Sequence, residues 1–330
     1  MKHLVLTTIA AVVLAGCASK DIHQAAKEGN IEVVKQAIAD GVDVNALDSL
    51  MQKTPLDYAK DEKTADLLRQ YGAKTSSWIR AGESIHIAVT AQHIEAVKQH
   101  IANGADVNAP TDFIFKGRTP LHIAILKDNE EIAAILISNN ANLNAKDERG
   151  YAPIHIAAGR GNLRLIKLLV NKGANMEIKQ QDGDSLLHMA STFAQKDVVE
   201  YLVEKGANIN AKNRDGKTPL HVANYDAEVT SYLIKNGADI NAMDKIGYTP
   251  LFLINSPEVV EILILNGANV NTVSHIGTTP LDSVLSELAT ENMMMEITQT
   301  SDLMPRLKDI ADLLRKHGGK TKKELEAAGN

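Results

Sequence analysis

One short word recurs through this chain at a fixed spacing. Thr119-Pro120-Leu121-His122-Ile123-Ala124 returns as Ala152-Pro153-Ile154-His155-Ile156-Ala157, as Ser185-Leu186-Leu187-His188-Met189-Ala190 and as Thr218-Pro219-Leu220-His221-Val222-Ala223, each 33 residues after the last. Thr249-Pro250-Leu251 and Thr279-Pro280-Leu281 continue it at steps of 31 and 30, and Ile22-His23-Gln24-Ala25, Thr54-Pro55-Leu56 and Ile85-His86-Ile87-Ala88 carry it upstream. A second word keeps phase with the first: Gly104-Ala105-Asp106-Val107-Asn108-Ala109 returns as Gly206-Ala207-Asn208-Ile209-Asn210-Ala211 and as Gly237-Ala238-Asp239-Ile240-Asn241-Ala242. Length alone, 330 residues, suggests about two globular domains. The period overrides that reading, because so short a unit cannot bury its own apolar face and must stack on its neighbours.

Each position has a mechanical reason. Thr or Ser opening the word accepts a backbone N–H and caps a helix. Pro beside it suits the first helical position, where its missing N–H costs nothing. Leu and Ala face the adjoining period, and the small Ala permits close approach. Leu163, Ile166, Leu169 and Val170 fall at helical spacing, which predicts a second helix. The Gly of the second word ends that helix in a left-handed conformation, and Asn213-Arg214-Asp215-Gly216 supplies the turn of a projecting hairpin. Only 12 of the 330 residues are aromatic, so the core must be Leu, Ile, Val and Ala.

The pattern resembles the ankyrin family, whose signature is T-P-L-H-x-A at this period. The resemblance spans residues 20–325 and implies an all-α repeat solenoid of about nine stacked repeats, each a helix-turn-helix plus a short β-hairpin. The repeats starting at Thr218 and Thr249 are short by two and three residues, which predicts clipped first helices or tightened turns. The last repeat is long instead: 31 residues separate Thr279 from Ile310, against 13 from Thr119 to Ile132. The excess includes Met293-Met294-Met295 and reads as an inserted loop or helix folded back over the end of the stack.

Arg315–Thr321 resembles the closing segment of bacterial ankyrin arrays, Ala65–Thr75 is a segment of the same kind, and residues 84–109 echo 21–46, sharing Ile-Glu-x-Val-Lys-Gln at 31–36 and 94–99. The chain therefore divides into a first array at 20–77 with about two repeats, a joint at 78–82 holding Trp78, and a second array at 83–325 with about seven. The insertion lies near 285–305 and a short tail at 326–330. Thr321 and Glu324 fit a capping box.

The N-terminus carries a separate signal. Met1-Lys2-His3 is basic, and Leu4–Leu14 is apolar except for Thr7 and Thr8, too short to cross a bilayer and suited to the core of a signal peptide at 1–16. Leu14-Ala15-Gly16-Cys17 resembles the bacterial lipobox, which implies cleavage before Cys17, diacylglycerol on its thiol, and a lipid-anchor region at 17–19. It also accounts for the chain's single cysteine. Ala18 rather than Asp after the cysteine implies the outer membrane, facing the periplasm, if the cell is Gram-negative.

Formal charge is −6, which gives no general attraction for nucleic acid. No phosphate-binding glycine loop, G-x-S-x-G elbow or C-x-x-C pair is present. Six of eleven histidines, His23, His86, His122, His155, His188 and His221, occupy the signature position and none pair at i, i+4, so a structural ladder is expected rather than a metal site. No cofactor, metal or catalytic residue is expected. Candidate chemistry lies instead in the variable positions, because partners of ankyrin proteins contact hairpin tips and first-helix surfaces. Phe115, Arg118, Arg149, Tyr151, Arg214, Lys217 and Tyr248 map to the tips, and Arg160, Phe193 and Tyr225 to the ends of first helices. Tyr and Arg are the residues that dominate interface hot spots.

The expected function is therefore a monomeric protein–protein interaction module, not an enzyme, held by lipid on Cys17 at a bacterial envelope membrane. Its rivals are an immunity or chaperone-like helper for an exported enzyme, an effector displayed at the cell surface, and an enzyme or small-ligand receptor using the concave groove.

Overall fold

The computed structural model describes residues 21–112, 116–223, 225–253, 256–298 and 303–329, and of 292–298 the backbone alone. Cys17, Phe115 and the side chains of Met293-Met294-Met295 lie outside that description. No helix of the described residues is long and apolar enough to cross a membrane. The chain divides into two compact units, Met1–Asp106 and Val107–Asn330.

The first unit holds the helix pairs Ile22–Glu28 with Ile31–Ala39, Pro55–Tyr58 with Glu62–Gln70, and Ile85–Thr90 with Ile94–Ala102. A short helix, Ser76–Ile79, and the 3-10 turn Arg80–Gly82 pack on Ile85–Thr90. The second unit continues with Pro120–Leu126 and Glu130–Ser138, Pro153–Arg160 and Leu163–Asn171, Leu186–Thr192 and Lys196–Glu204, and Pro219–Val222 and Ala227–Lys235. The 3-10 turn Pro250–Phe252 then pairs with Pro257–Leu265, Pro280–Thr298 pairs with Leu303–Lys316, and Lys322–Ala327 follows. Within this unit each first helix packs on the next, so first-helix surfaces form one side of a stack.

The stack is held by the residues the period places inward. Leu121, Ile125, Ile132, Leu136, Ile154, Leu165, Ile166, Leu169, Leu186 and Leu187 are fully buried, with Ala124, Ala157 and Ala190 where adjacent helices approach. Each such Leu or Ile contributes about 1.5–3 kcal/mol by leaving water. Second helices are capped by Asn129, Asn162 and Asp226, whose side chains accept the Ile132, Leu165 and Val229 N–H groups.

From Asp147 onward the connections between repeats project as five-residue fingers, yet no strand forms among the described residues. The short β-hairpins implied by the resemblance are corrected to tight turns. Each finger closes with one backbone rung, as from Asp147 N–H to the Tyr151 carbonyl at 2.9 Å or from Asn213 N–H to the Lys217 carbonyl at 3.0 Å. The donors that would extend a ladder are taken locally: Asp147 Oδ1 accepts the Arg149 and Tyr151 N–H groups at 3.0 and 2.9 Å. Single bonds link finger to finger, from Arg214 N–H to the Asp182 carbonyl and from Lys245 N–H to the Asp215 carbonyl, each 2.8 Å. That closeness explains the glycines. At Gly150 (φ 79°) and Gly247 (φ 80°) a Cβ would come within 2.6 and 2.7 Å of the next finger's backbone nitrogen.

Both length anomalies find their place. The two short repeats lose turns from their first helices, leaving Pro219–Val222 with four residues and the 3-10 turn Pro250–Phe252 with three. The long repeat carries its described excess as helix. Its excess lengthens both helices of one pair, Pro280–Thr298 to 19 residues and Leu303–Lys316 to 14, packed on each other. Thr321 caps Lys322–Ala327 through the box it forms with Glu324.

Candidate groove on the first-helix side

The signature histidines are helix caps and inter-repeat bolts at once. His122 is buried, and its Nδ1 accepts the Thr119 N–H and hydroxyl at 3.1 and 2.9 Å. Those two donors place the ring proton on Nε2, which donates to the Tyr151 carbonyl of the next repeat at 2.9 Å. His188 repeats this between Ser185 and the Lys217 carbonyl at 2.9 Å, and His221 between Thr218 and the Tyr248 carbonyl at 3.0 Å. Burial pushes the pKa of all three downward, holding them neutral.

His155 departs from the series. Its Nδ1 accepts the Ala152 N–H at 3.0 Å, Ala152 offers no hydroxyl, and its Nε2 has no hydrogen-bond partner. Burial lowers its pKa to about 4; the Ile178 carbonyl acts on the ring in the opposite sense but not at hydrogen-bonding geometry. No three His, Cys, Asp or Glu side chains among the described residues are placed to hold a metal ion.

The ladder fixes where the finger residues stand, because its acceptor carbonyls belong to Tyr151, Lys217 and Tyr248. Five of the sequence candidates, Arg118, Arg149, Tyr151, Arg160 and Phe193, then line a single groove of about 530 Å³ together with His155, Ile156, Gly159 and Met189. Two of its arginines are already held: Arg118 Nε donates to Asp147 at 3.2 Å, and Arg160 donates to Asp128 through Nε at 3.0 Å and through Nη2. Arg149 forms no ion pair among the described residues. Tyr151 stands edge-on to His155, ring centres 6.2 Å apart, and Phe193 is 53% exposed, which leaves an open aromatic wall. At Gly159 a Cβ would come 3.3 Å from Met189 Cε and from the Phe193 ring, so the absent side chain makes part of the cavity.

The other candidates sit elsewhere. Lys217 and Tyr225 line a second groove of about 380 Å³ with Thr192, His221, Phe252 and Glu287. Tyr248 is stacked on Phe252, 4.6 Å between centres and 8° between planes, so its ring packs on its own repeat. Arg214 is exposed on its finger. Ile156, Met189 and Glu287 were missed from the sequence. The first two occupy the variable fifth position of the signature, a usable signal; Glu287 lies in the excess of the last repeat, where the period offers no register.

Family models describing ankyrin repeats match residues 85–180, 154–244 and 187–274, and a single-repeat model matches 22–49. The chain belongs to the ankyrin-repeat family. It is similar to the NF-kappa-B inhibitor cactus of Drosophila melanogaster, 42% identical over 60 residues that cover 18% of this chain and 12% of that one. It is similar also to the nuclear factor NF-kappa-B p105 subunit of Gallus gallus, 34% identical over 125 residues, 35% of this chain and 12% of the relative. The neurogenic locus Notch protein of Drosophila melanogaster is 36% identical over 88 residues, 26% of this chain and 3% of the relative. The matched stretches therefore span an eighth or less of these relatives. Ankyrin repeats are protein-interaction scaffolds, and a protein partner follows from membership.

Proposed function

We propose that this ankyrin-repeat chain is a monomeric, lipid-anchored module that holds one partner protein at a bacterial envelope membrane by binding, without catalysis. Lipid on Cys17 is the anchor, and the outer membrane facing the periplasm is the address in a Gram-negative cell. About nine repeats make up the two arrays, two at 20–77 and seven at 83–325, with the joint at 78–82 between them in the sequence. The observation that carries the reading is the gathering of Arg118, Arg149, Tyr151, Arg160 and Phe193 around one open groove. Such a surface is pre-formed, so little order need be acquired on binding. The relative named as an NF-kappa-B inhibitor fits a scaffold whose work is to hold another protein.

Two measurements test this. Crosslinked capture of the native partner from envelope membranes should weaken at least tenfold, about 1.4 kcal/mol, when Tyr151→Ala and Phe193→Ala are combined. Lys167→Glu, on an exposed second-helix position, should leave capture intact; the reverse pattern puts the binding surface on the other side of the stack. Cys17→Ser should eliminate the lipidated form and leave unprocessed precursor or soluble protein. A processed Cys17→Ser species that still sediments with membranes refutes the anchor.

A further inference from the structure

Among the side chains that line the groove between Arg118 and Phe193, charge is unevenly paired. Asp147 and Asp128 neutralise Arg118 and Arg160, with the Asp147 carboxylate buried and the Asp128 pair at the surface. Arg149 lines the same groove with its side chain exposed and no carboxylate within ion-pair distance among the described residues. His155, whose rung of the ladder is open, lines the groove as well. His155 carries its proton on Nε2, because Nδ1 accepts the Ala152 N–H, and that N–H dipole ends on no acceptor. An unpaired cation and the His155 ring therefore line one cavity whose walls are Tyr151, Met189 and Phe193. The neighbouring groove at Tyr225 contains one cation and one carboxylate, Lys217 and Glu287, and carries no such excess.

We propose, resting on the groove-binding reading above, that the partner enters this groove with an acidic segment: a carboxylate side chain meets the Arg149 guanidinium, and an apolar or aromatic side chain beside it lies against Tyr151, Met189 and Phe193. The charge complementarity selects the occupant. A basic segment would face a guanidinium with no counter-ion, and like charges brought together at an interface are strongly unfavourable. A carboxylate instead completes the groove's unpaired arginine, Arg149, with a charge-assisted hydrogen bond. Arginine suits the task because its planar fork matches a carboxylate in two-point geometry.

The test uses the full chain and three short fluorescent peptides that alternate Leu and Tyr with Asp, with Asn or with Lys, read by anisotropy. The Asp peptide should bind about tenfold or more tighter than the other two, with affinity falling as salt rises. Arg149→Glu should remove that preference at least tenfold, whereas Arg149→Lys should retain most of it and Arg214→Glu, on a finger outside the groove, should change nothing. On adding the Asp peptide the His155 ring nitrogen resonances should move, and those of His23 in the first unit should not. Binding of the Asn peptide as tightly as the Asp peptide, with loss on Phe193→Ala, overturns the acidic occupant and leaves groove binding standing. Absence of Asp-peptide binding, together with native capture that fails on Lys167→Glu, overturns both.

Discussion

The interior rungs of the repeat ladder and its two closing rungs use the same position for opposite chemistry. In the interior, His122, His188 and His221 donate forward to a carbonyl of the next repeat. At Thr54-Pro55-Leu56-Asp57 and Thr279-Pro280-Leu281-Asp282 an aspartate stands in that place and accepts. Asp57 Oδ2 takes the Thr54 N–H and the Ser76 N–H, each at 2.8 Å, while the Thr54 hydroxyl donates to the Lys74 carbonyl at 2.8 Å. Asp282 Oδ2 takes the Thr279 and Lys322 N–H groups at 2.9 and 2.8 Å, and the Thr279 hydroxyl donates to the Lys320 carbonyl at 2.8 Å. Even the flanking asparagines correspond: Asn45 receives the Lys74 N–H at 2.7 Å and Asn271 the Lys320 N–H at 2.8 Å.

The difference follows from what comes next in the chain. The repeats of His122, His188 and His221 are each followed by a finger that turns a carbonyl toward the ring. A closing repeat is followed by a helix start, Ser76 or Lys322, whose first N–H has no partner within its own helix. A carboxylate satisfies that donor, and an Nε2–H would oppose it. In these five repeats the identity of one residue thus follows whether a finger or a helix start comes next, and the aspartate form stands at Asp57 and at Asp282.

The largest way to break this comparison is to put the closing residue in an interior rung. His188→Asp would keep a cap for Ser185 but set a buried carboxylate toward the Lys217 carbonyl, with acceptor facing acceptor. We expect a loss of about 3–5 kcal/mol, the scale of an unpaired buried charge. Urea unfolding gives the number, and a loss under about 1 kcal/mol would show that the rung tolerates either sign.

Acid sharpens the same contrast. The folded pKa of His155 is lowered to about 4, against roughly 6.5 for an unperturbed histidine. Above pH 6.5 both states are neutral and the full stability is present. Between pH 6.5 and 4 the unfolded chain takes the proton and the folded chain does not, so stability falls as pH drops through that window. A shift of this size corresponds to about 3 kcal/mol in all. His122, His188 and His221 shift in the same direction. His155→Gln should flatten the slope by its own share, and identical slopes for the variant and the parent would remove the argument.

How much of this was legible beforehand divides along physical lines. The period, the caps and the clipped helices at Pro219 and Pro250 could be read because each depends on local spacing. The finger turns were over-read as hairpins, because the family pattern does not show that Asp147 and its counterparts take the donors a strand would need. The groove was half legible. Its arginines and Phe193 stand at variable positions, whereas the pairing of Arg118 with Asp147 and Arg160 with Asp128 spans about one period and appears only in three dimensions. Phe252, in the histidine place of its repeat, leaves the Thr249 hydroxyl without a partner and gives Tyr248 a ring to stack on. A strip of three tyrosines in the sequence therefore becomes a wall of one groove, Tyr151, a wall of another, Tyr225, and one packing residue, Tyr248.

The smallest expected effect is the most discriminating, because it reverses the exchange at the edge of the stack. Asp282→His would let Nδ1 keep capping Thr279, as in the interior rungs, but would turn Nε2–H toward the Lys322 N–H. Two donors would then face one another, and the Lys322 amide would lose its acceptor. Lys322 lies on an exposed helix start, where water can replace part of the lost bond, so the cost should be about 1–2 kcal/mol. It should also be local. Hydrogen exchange at the start of Lys322–Ala327 should accelerate, while the cores at Leu165 and Leu187 keep their protection, since opening at the end of a stack need not propagate inward. Asp282→Asn provides the control: its amide oxygen can still accept the Lys322 N–H, and exchange there should stay slower than in Asp282→His. Equal acceleration in both variants would mean that the charge of the carboxylate, and not its acceptor geometry, holds the closing helix, and the donor-to-acceptor switch would lose its role where a helix start comes next.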